Sequence, residues 1–185
     1  MKVIIHKIKK DLFRYKAGAG LGAFVKAFLS IPGFRLIFTK RICEHTSALN
    51  PIGIVARLMY KCTSIRFGLQ IPHRVRIAPG LYIGHYGNIV VNMGVQIGKN
   101  CNIAQGVTIG STSRGKKKGT PVIGDRVWIG ANSVIVGNIT IGNDALIAPL
   151  SFVNFDVPPH ALVMGNPAKV INMSGSEGYV NNILD

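Results

Sequence analysis

The chain has 185 residues, of which 48% are hydrophobic, and a formal net charge of +15. This size suits one domain with a continuous core, and the hydrophobic content excludes a chain that is disordered throughout. The three cysteines, Cys43, Cys62 and Cys101, match neither a disulfide framework nor the ligand spacing of a zinc site, so we expect a reducing compartment, the cytoplasm.

Residues 1–69 are predicted to form a basic helical cap of two or three short amphipathic helices. Apolar residues recur there at spacings of three and four, as in Phe24, Ala27, Phe28 and Ile31. Charges run through the opening segment, which therefore does not resemble a secretory signal. The apolar runs are shorter than the roughly 20 residues that a membrane-spanning helix needs.

Most of the positive charge lies in this first region. Residues 1–76 hold 15 Lys and Arg against two carboxylates, a balance of +13, whereas residues 77–185 hold seven against five. We expect the cap to cover the end of the next region and to contact neighbouring subunits. The alternative is peripheral attachment to an anionic membrane at its inner face. That attachment would use basic and aromatic residues: Phe13, Arg14, Lys26, Phe34, Arg35, Phe38, Lys40 and Arg41.

From residue 71 onward an aliphatic residue recurs every six positions, a period that belongs to neither a helix nor an alternating strand. The series is Ile71, Ile77, Ile83, Ile89, Ile97, Ile103, Ile109, Ile123, Ile129, Ile135, Ile141, Ile147 and Val153. A repeated corner explains it, with one large side chain inside each turn and a small residue beside it. We predict a parallel β-helix over 70–158 and a C-terminal extension over 159–185.

The period is interrupted twice. The first slip lies between Ile89 and Ile97, and the second between Ile109 and Ile123. The second contains the lysine run 116–118 and is too polar for a strand, so residues 111–121 are predicted to protrude as a loop. Such loops often carry the function of a solenoid, although a run of lysines is most often only solvated.

Four segments, together with the six-residue repeats, resemble the serine acetyltransferase branch of the hexapeptide-repeat acyltransferases. They are GHYGNIVV at 84–91, IAQGVTIG at 103–110, PVIGDRVWIGANSVIVGNITIG at 121–142 and VPPHALVMGNPAKVI at 157–171. The resemblance implies an all-β left-handed parallel β-helix with a short helical cap, acetyl-CoA as donor, and a homotrimer with sites shared between subunits. The left hand is implied by the resemblance alone, because the general crossover rule favours the opposite hand.

Acyl transfer from a thioester to a hydroxyl needs a base that takes the hydroxyl proton. Of the five histidines, only His85 lies among glycines at a predicted corner, and it matches the catalytic histidine of the family. His160 is interpreted as structural. Asn88 and Asn92 lie near His85 in sequence and are candidate ligands for the acceptor.

The chain departs from the family at two positions. Where serine acetyltransferases carry an aspartate that orients the base and a second histidine in the protruding loop, this sequence has Gln70 and Thr120. Gln70 lacks the charge of a carboxylate, and Thr120 alters the acceptor pocket. The short basic cap is more like that of relatives in capsule and exopolysaccharide synthesis. We therefore predict a sugar or polysaccharide precursor as acceptor, with L-serine as the alternative.

The resemblance also implies where CoA binds. The matching positions along the groove are Gly110, Ser111, Gly130, Ala131, Ala148 and Pro149, and those near the nucleotide end are Asn166, Pro167, Ala168 and Lys169. Small residues there leave the backbone accessible, although corners of a coil also require small residues.

The sequence gives weaker support to three other functions. A catalytically inactive coil that binds a partner is the non-enzyme alternative. A nucleic-acid-binding module is disfavoured because the repeat region is nearly neutral and carries no RNA-binding motif. A metal-dependent hydratase would need several histidines in the coil, so no metal is expected.

Overall fold

A computed structural model describes residues 2–15 and 20–183. Four helices come first: α1 (Lys2–Arg14), α2 (Leu21–Ser30), α3 (Pro32–His45) and α4 (Pro51–Phe67). The cap therefore contains more helix than the two or three short segments expected, and an all-β description is too narrow. No single described helix is long and apolar enough to cross a membrane; only α2 and α3 taken together, bent by 108°, meet that length and composition.

Local sequence sets the ends of α4. The Asn50 side chain accepts a hydrogen bond from the backbone N of Ile52 at 2.9 Å, which caps the helix, and Pro51 occupies a first-turn position where no N–H is needed. Gly68 ends the helix in the left-handed region, with φ 63°. That conformation favours glycine and turns the chain directly into the first strand.

In the described residues, fourteen short strands follow the helices and form three sheets. The first sheet contains β1 (Leu69–Gln70), β3 (Ile89–Val91), β6 (Thr108–Gly110), β9 (Val134–Val136) and β12 (Phe152–Val153). The second contains β2 (Arg76–Ile77), β4 (Gln96–Ile97), β7 (Val122–Ile123) and β10 (Thr140–Ile141). The third contains β5 (Asn102–Ile103), β8 (Trp128–Ile129), β11 (Leu146–Ile147), β13 (Leu162–Gly165) and β14 (Ala168–Asn172).

The chain visits the three sheets in turn, and each circuit forms one coil of a triangular prism. Every strand pairing is parallel except that of β13 with β14. Ile97, Ile123 and Ile141 stack in register, and all three are buried. The predicted aliphatic columns are thus present and form one continuous core.

The position of the first irregularity differs from the prediction. Val91 pairs with Ile109, and Ile97 lies six residues after Val91, so the repeat is regular there. The two extra residues lie earlier, in the corner between the buried Ile83 and Ile89. The sequence did not reveal this insertion, because an aliphatic residue lies both six residues after Ile83, at Ile89, and eight residues after it, at Val91.

The coil also extends beyond the predicted boundary at residue 158. Leu162 and Val163 of β13 pair in parallel with Leu146 and Ile147, which completes a fifth coil. The chain then turns back through β14 and crosses the third sheet. There Tyr179 packs on Trp128 with ring centroids 5.0 Å apart, and Ser176 Oγ donates to Arg126 O at 2.6 Å.

Buried charged groups attach the cap to the first coil. Arg41 Nε donates to Asp11 Oδ2 at 2.8 Å, and its Nη1 donates to Ile77 O at 2.7 Å. Asp11 Oδ1 in turn accepts from the backbone N of Gly80 at 2.7 Å. These bonds satisfy charges that would otherwise be costly to bury.

This arrangement corrects the expected membrane-binding set. Arg14, Phe34, Lys40 and Arg41 are buried and cannot face a bilayer. Phe13, Arg35 and Phe38 are half-buried, and only Lys26 of the set is exposed. The cap interpretation therefore fits the packing of these side chains.

Candidate active site

His85 lies on a corner that is larger than its counterparts. Five residues, 84–88, separate Ile83 from Ile89, whereas the same corner of the next three coils has three residues each, at 104–106, 130–132 and 148–150. The longer corner carries His85 outward, where its side chain is exposed. Within the described chain, no residue is found hydrogen-bonded to its imidazole.

Glycines and the cap hold this corner. A Cβ at Gly84 would lie 2.7 Å from the Tyr82 ring, and Gly87 has φ 120°, so both positions favour glycine. The Tyr86 ring packs edge-on against Phe67 of α4 at 4.8 Å between centroids. A Cβ at Gly33 of α3 would lie 2.2 Å from Ile83 O, so this helix approaches the coil closely just before the corner.

The corners below His85 form one edge of the prism. Backbone bonds join them in succession: Gly106 N to Gly87 O at 2.9 Å, Asn132 N to Gln105 O at 3.0 Å, and Leu150 N to Ala131 O at 2.9 Å. The turn after β13 lies at the end of the same edge. At a spacing of about 4.8 Å per coil, the edge runs about 19 Å from the His85 corner to that turn.

Eight of the ten predicted CoA positions lie on this edge. They are Gly130, Ala131, Ala148 and Pro149 on two successive corners, Asn166 and Pro167 on the final turn, and Ala168 and Lys169 at the start of β14. A Cβ at Gly130 would lie 2.5 Å from Pro149 N, so tight stacking alone requires glycine there. Lys169 is exposed at the far end.

Four other predicted residues lie at the opposite ends of the first-sheet strands. Asn92 and Ser111 follow β3 and β6, and Asn92 Nδ2 donates to Ser111 Oγ at 3.4 Å. Thr120 Oγ1 donates to Gly94 O at 3.0 Å, and Gly94 N donates to Asn92 Oδ1 at 3.0 Å. Gly110 ends β6 beside this group. The four steps along the chain from residue 88 to residue 92 span about 13 Å, so one protomer does not bring this group to His85.

Gln70 and Asn88 are placed differently from each other. Asn88 lies on the His85 corner with φ 53°, against Gly68. Gln70 pairs in register with Val90, five residues beyond His85. It lines a groove of about 520 Å³ with Tyr60, Lys61 and His73, between α4 and the first two coils. Burial, together with Arg74, lowers the pKa of His73 in this groove.

The lysine-containing loop is partly ordered by its own pairing. Thr112 and Gly119 exchange two backbone bonds of 3.0 Å. Lys117 forms an ion pair with Asp156, and this pair lowers the pKa of the Asp156 carboxyl. Lys116 and Lys118 are exposed. In the described part of the chain, no group of three or more His, Cys, Asp or Glu is close enough to hold a metal ion.

The sequence did not predict which residues pack against the His85 corner. Gly33, Phe67 and Tyr82 were not identified because each acts through a tertiary contact that has no periodic signal. The two extra residues in the corner were also missed, although the GHYGN segment contains the two glycines that permit the bend.

Comparisons with known proteins match this architecture. A family model described as bacterial transferase hexapeptide (six repeats) matches residues 120–154. A serine acetyltransferase from Bacillus pumilus is 30% identical over 155 residues, which cover 84% of this chain and 71% of the relative. The chain belongs to the serine acetyltransferase family. A serine acetyltransferase from Synechococcus elongatus is 31% identical over 151 residues, 82% of this chain and 62% of the relative.

Solved structures of the serine acetyltransferase family are similar over most of the chain. The Neisseria gonorrhoeae enzyme in complex with serine has a TM-score of 0.74 at 34% identity, covering 92% of this chain and 70% of that one. A serine acetyltransferase in complex with CoA has a TM-score of 0.73 at 28% identity, with the same coverage. The coil is accordingly a hexapeptide-repeat left-handed β-helix with N-terminal helices.

The match with these relatives is partial in length and specific in kind. The chain spans less than two thirds of the length of the Synechococcus elongatus relative. In addition, these relatives are serine acetyltransferases, so the expected closeness to capsule and exopolysaccharide O-acetyltransferases is not supported.

Proposed function

We propose that the protein is an acetyl-CoA-dependent O-acetyltransferase that acts on L-serine, with His85 as general base. The observation that carries this proposal is the exposed imidazole on an extended corner, at the head of an edge of small residues that ends at Lys169. The names of the relatives support the acceptor, and similar structures are described with serine and with CoA.

The chemistry requires one proton to move twice. Neutral His85 takes the proton of the acceptor hydroxyl as its oxygen attacks the thioester carbonyl. The tetrahedral intermediate then expels the CoA sulfur, and the imidazolium returns the proton to the leaving thiolate. The products are the O-acetyl ester and CoA. An exposed histidine on a rigid coil can reach both substrates without a large movement of the chain.

CoA would lie along the edge below His85. On the two corners Ala131 is half-buried and Pro149 is exposed, whereas Gly130 and Ala148 are buried. An extended pantetheine arm would therefore contact these corners at Ala131 and Pro149. Lys169 at the far end would meet the phosphates. Gly110 and Ser111 lie at the other ends of the strands. They would contact the same ligand from a neighbouring protomer, and we therefore propose a homotrimer.

A sugar hydroxyl is the second candidate acceptor. It is favoured by the uncharged side chains at Gln70 and Thr120, where the resemblance implies an aspartate and a histidine. Without the carboxylate, the second nitrogen of His85 needs another acceptor, which a backbone carbonyl of the neighbouring protomer would provide. The altered loop residue would change which hydroxyl compound fits.

Release of CoA from acetyl-CoA, followed by thiol detection, tests both candidates. Wild type, His85→Ala and His160→Ala are compared with L-serine, free sugars and nucleotide sugars as acceptors. We expect turnover with serine, a loss of about a hundredfold or more in His85→Ala, and little change in His160→Ala, whose histidine is exposed on another corner. Turnover with a sugar alone would favour the second candidate. No turnover and no acetyl-CoA binding would favour a non-catalytic coil.

A further inference from the structure

Helix α4 is apolar on two faces, and only one of them is buried. Gly53, Ala56, Tyr60 and Thr63 form its buried face. The opposite face carries what we term the α4 stripe: Ile52, Val55, Leu58, Cys62 and Ile65. Their spacing of three and four places them on one side of the helix. Their four aliphatic side chains are 54–73% exposed, over a length of about 20 Å.

Helix α2 carries an exposed apolar face of its own. Its Leu21, Val25 and Leu29 are exposed at a spacing of four. Arg35 of α3 contacts the ends of both helices: its Nε donates to Phe28 O at 2.8 Å, and its guanidinium carbon lies 5.9 Å from the centre of the Phe67 ring. The C-terminal ends of α2 and α4 therefore both lie against one side chain.

The charge on this surface has one sign. Lys26 of α2, and Lys61 and Arg66 of α4, are exposed, and neither helix contains a carboxylate. The two acidic residues of 1–76 are Asp11, which is buried against Arg41, and Glu44, which pairs with Lys40 and Arg41. Neither is free to neutralise the cations beside the stripe.

We propose that the surface formed by α2 and α4 binds an anionic lipid bilayer, with both helices lying in the plane of the interface. Exposed aliphatic side chains flanked by Lys and Arg suit the boundary between acyl chains and acidic headgroups. A second copy of the chain is a poorer occupant, because it would bring like charges together around the stripe. The proposal does not depend on the catalytic assignment.

The α4 stripe faces away from the candidate site. Phe67 ends α4, and its ring packs on Tyr86, the neighbour of His85. Phe67 follows Tyr60 and Thr63 on the buried side of the helix, so a bilayer bound to the stripe would lie on the far side of α4 from the His85 corner. Apart from Lys26, the residues that carry this surface are different from those that the sequence suggested.

Flotation with vesicles tests the proposal directly. One preparation contains phosphatidylcholine and phosphatidylglycerol, and the other phosphatidylcholine alone. We expect the full chain to float with the anionic vesicles at least tenfold more than with the neutral ones, and to dissociate as salt is raised. Val55→Ser with Leu58→Ser, and separately Lys61→Glu with Arg66→Glu, should each lower binding about tenfold or more.

Ile171→Ser with Met173→Ser is the matched control, since both side chains are exposed but lie beyond the coil. It should bind like the wild type. Thermal unfolding establishes that each variant is folded, and CoA release tests the catalytic proposal separately. No vesicle binding by the wild type would overturn the proposal. So would equal loss in the control, or a change in oligomer mass on mutating the stripe without any vesicle binding.

Discussion

The helical cap and the coil are both well packed, but they bury different kinds of residue. The coil presents an aliphatic or small side chain inside each turn, such as Ile97, Ile123 and Ile141. The cap buries Asp11 and Arg41 at its contact with the coil. A repeated backbone therefore lets burial be predicted from the sequence, whereas burial in the cap is decided by specific tertiary partners.

Breaking the ion pair in the cap should have the largest effect on stability. Arg41→Ala leaves Asp11 buried without its partner, and we expect the free energy of unfolding to fall by about 3–5 kcal/mol. Urea unfolding of the variant measures this. The double variant Asp11→Leu with Arg41→Met should lose less, since no uncompensated charge remains. If both variants lose the same amount, the pair is not what joins the cap to the coil.

Removing a core side chain measures how much the aliphatic columns stabilise the coil. Ile129 is fully buried between Ile103 and Ile147 in one column. Ile129→Ala should lower the free energy of unfolding by about 2–5 kcal/mol, because it leaves a cavity that stacked coils cannot collapse to fill. Ile171→Ala, at an exposed position, is the control and should change stability by less than about 0.5 kcal/mol.

Gly130 on the edge of the coil and Gly22 on the surface of the cap differ in the space that a side chain would have. A Cβ at Gly130 would meet the Pro149 backbone, whereas a Cβ at Gly22 would have no atom within 4 Å. Gly130→Ala should cost about 1–3 kcal/mol by forcing adjacent corners apart. Gly22→Ala should stabilise α2 by up to about 1 kcal/mol. Equal effects at the two positions would contradict the tight stacking of this edge.

The smallest expected effect concerns a corner ion pair. A hydrogen bond from Arg126, with the charge of that residue, lowers the pKa of Asp144. The pair therefore stabilises the fold above the unfolded-state pKa of about 3.9, and this contribution is lost as pH falls through the folded-state value. Asp144→Asn should cost less than about 1 kcal/mol at pH 7 and nothing near pH 2. Urea midpoints at the two pH values measure it, and a difference that persists at pH 2 would contradict the assignment.

The sequence predicted the parts of the molecule that repeat. The coil, its columns, the protruding loop and the corner position of His85 followed from the period of six and the flanking glycines. The period did not predict the longer corner at 84–88, because Ile83 and Ile89 keep the spacing of six. It also did not predict the last coil, because Val157 follows its partner Ile141 by two residues fewer than a regular circuit requires. The burial of Arg14 and Lys40 could not be predicted, because it depends on partners distant in sequence.

The sequence also did not predict that the candidate site is distributed over two edges of the prism. His85 and the eight small or terminal CoA positions lie on one edge, whereas Asn92, Gly110, Ser111 and Thr120 lie on the other. Residues close in sequence, such as His85 and Asn92, are thereby separated by the length of a strand. A site that uses both groups needs two protomers.

The most direct test of this account is complementation between two inactive variants. His85→Ala removes the proposed base on one edge, and Ser111→Trp blocks the other. Each alone should be inactive in CoA release with acetyl-CoA and the acceptor identified for the wild type. When the two are co-expressed with different tags and the mixed trimers are purified, about one in three of the sites should contain two intact edges, and activity should return to about that level. Mixed oligomers that stay inactive, although each variant is folded and assembled, would contradict a site shared between protomers.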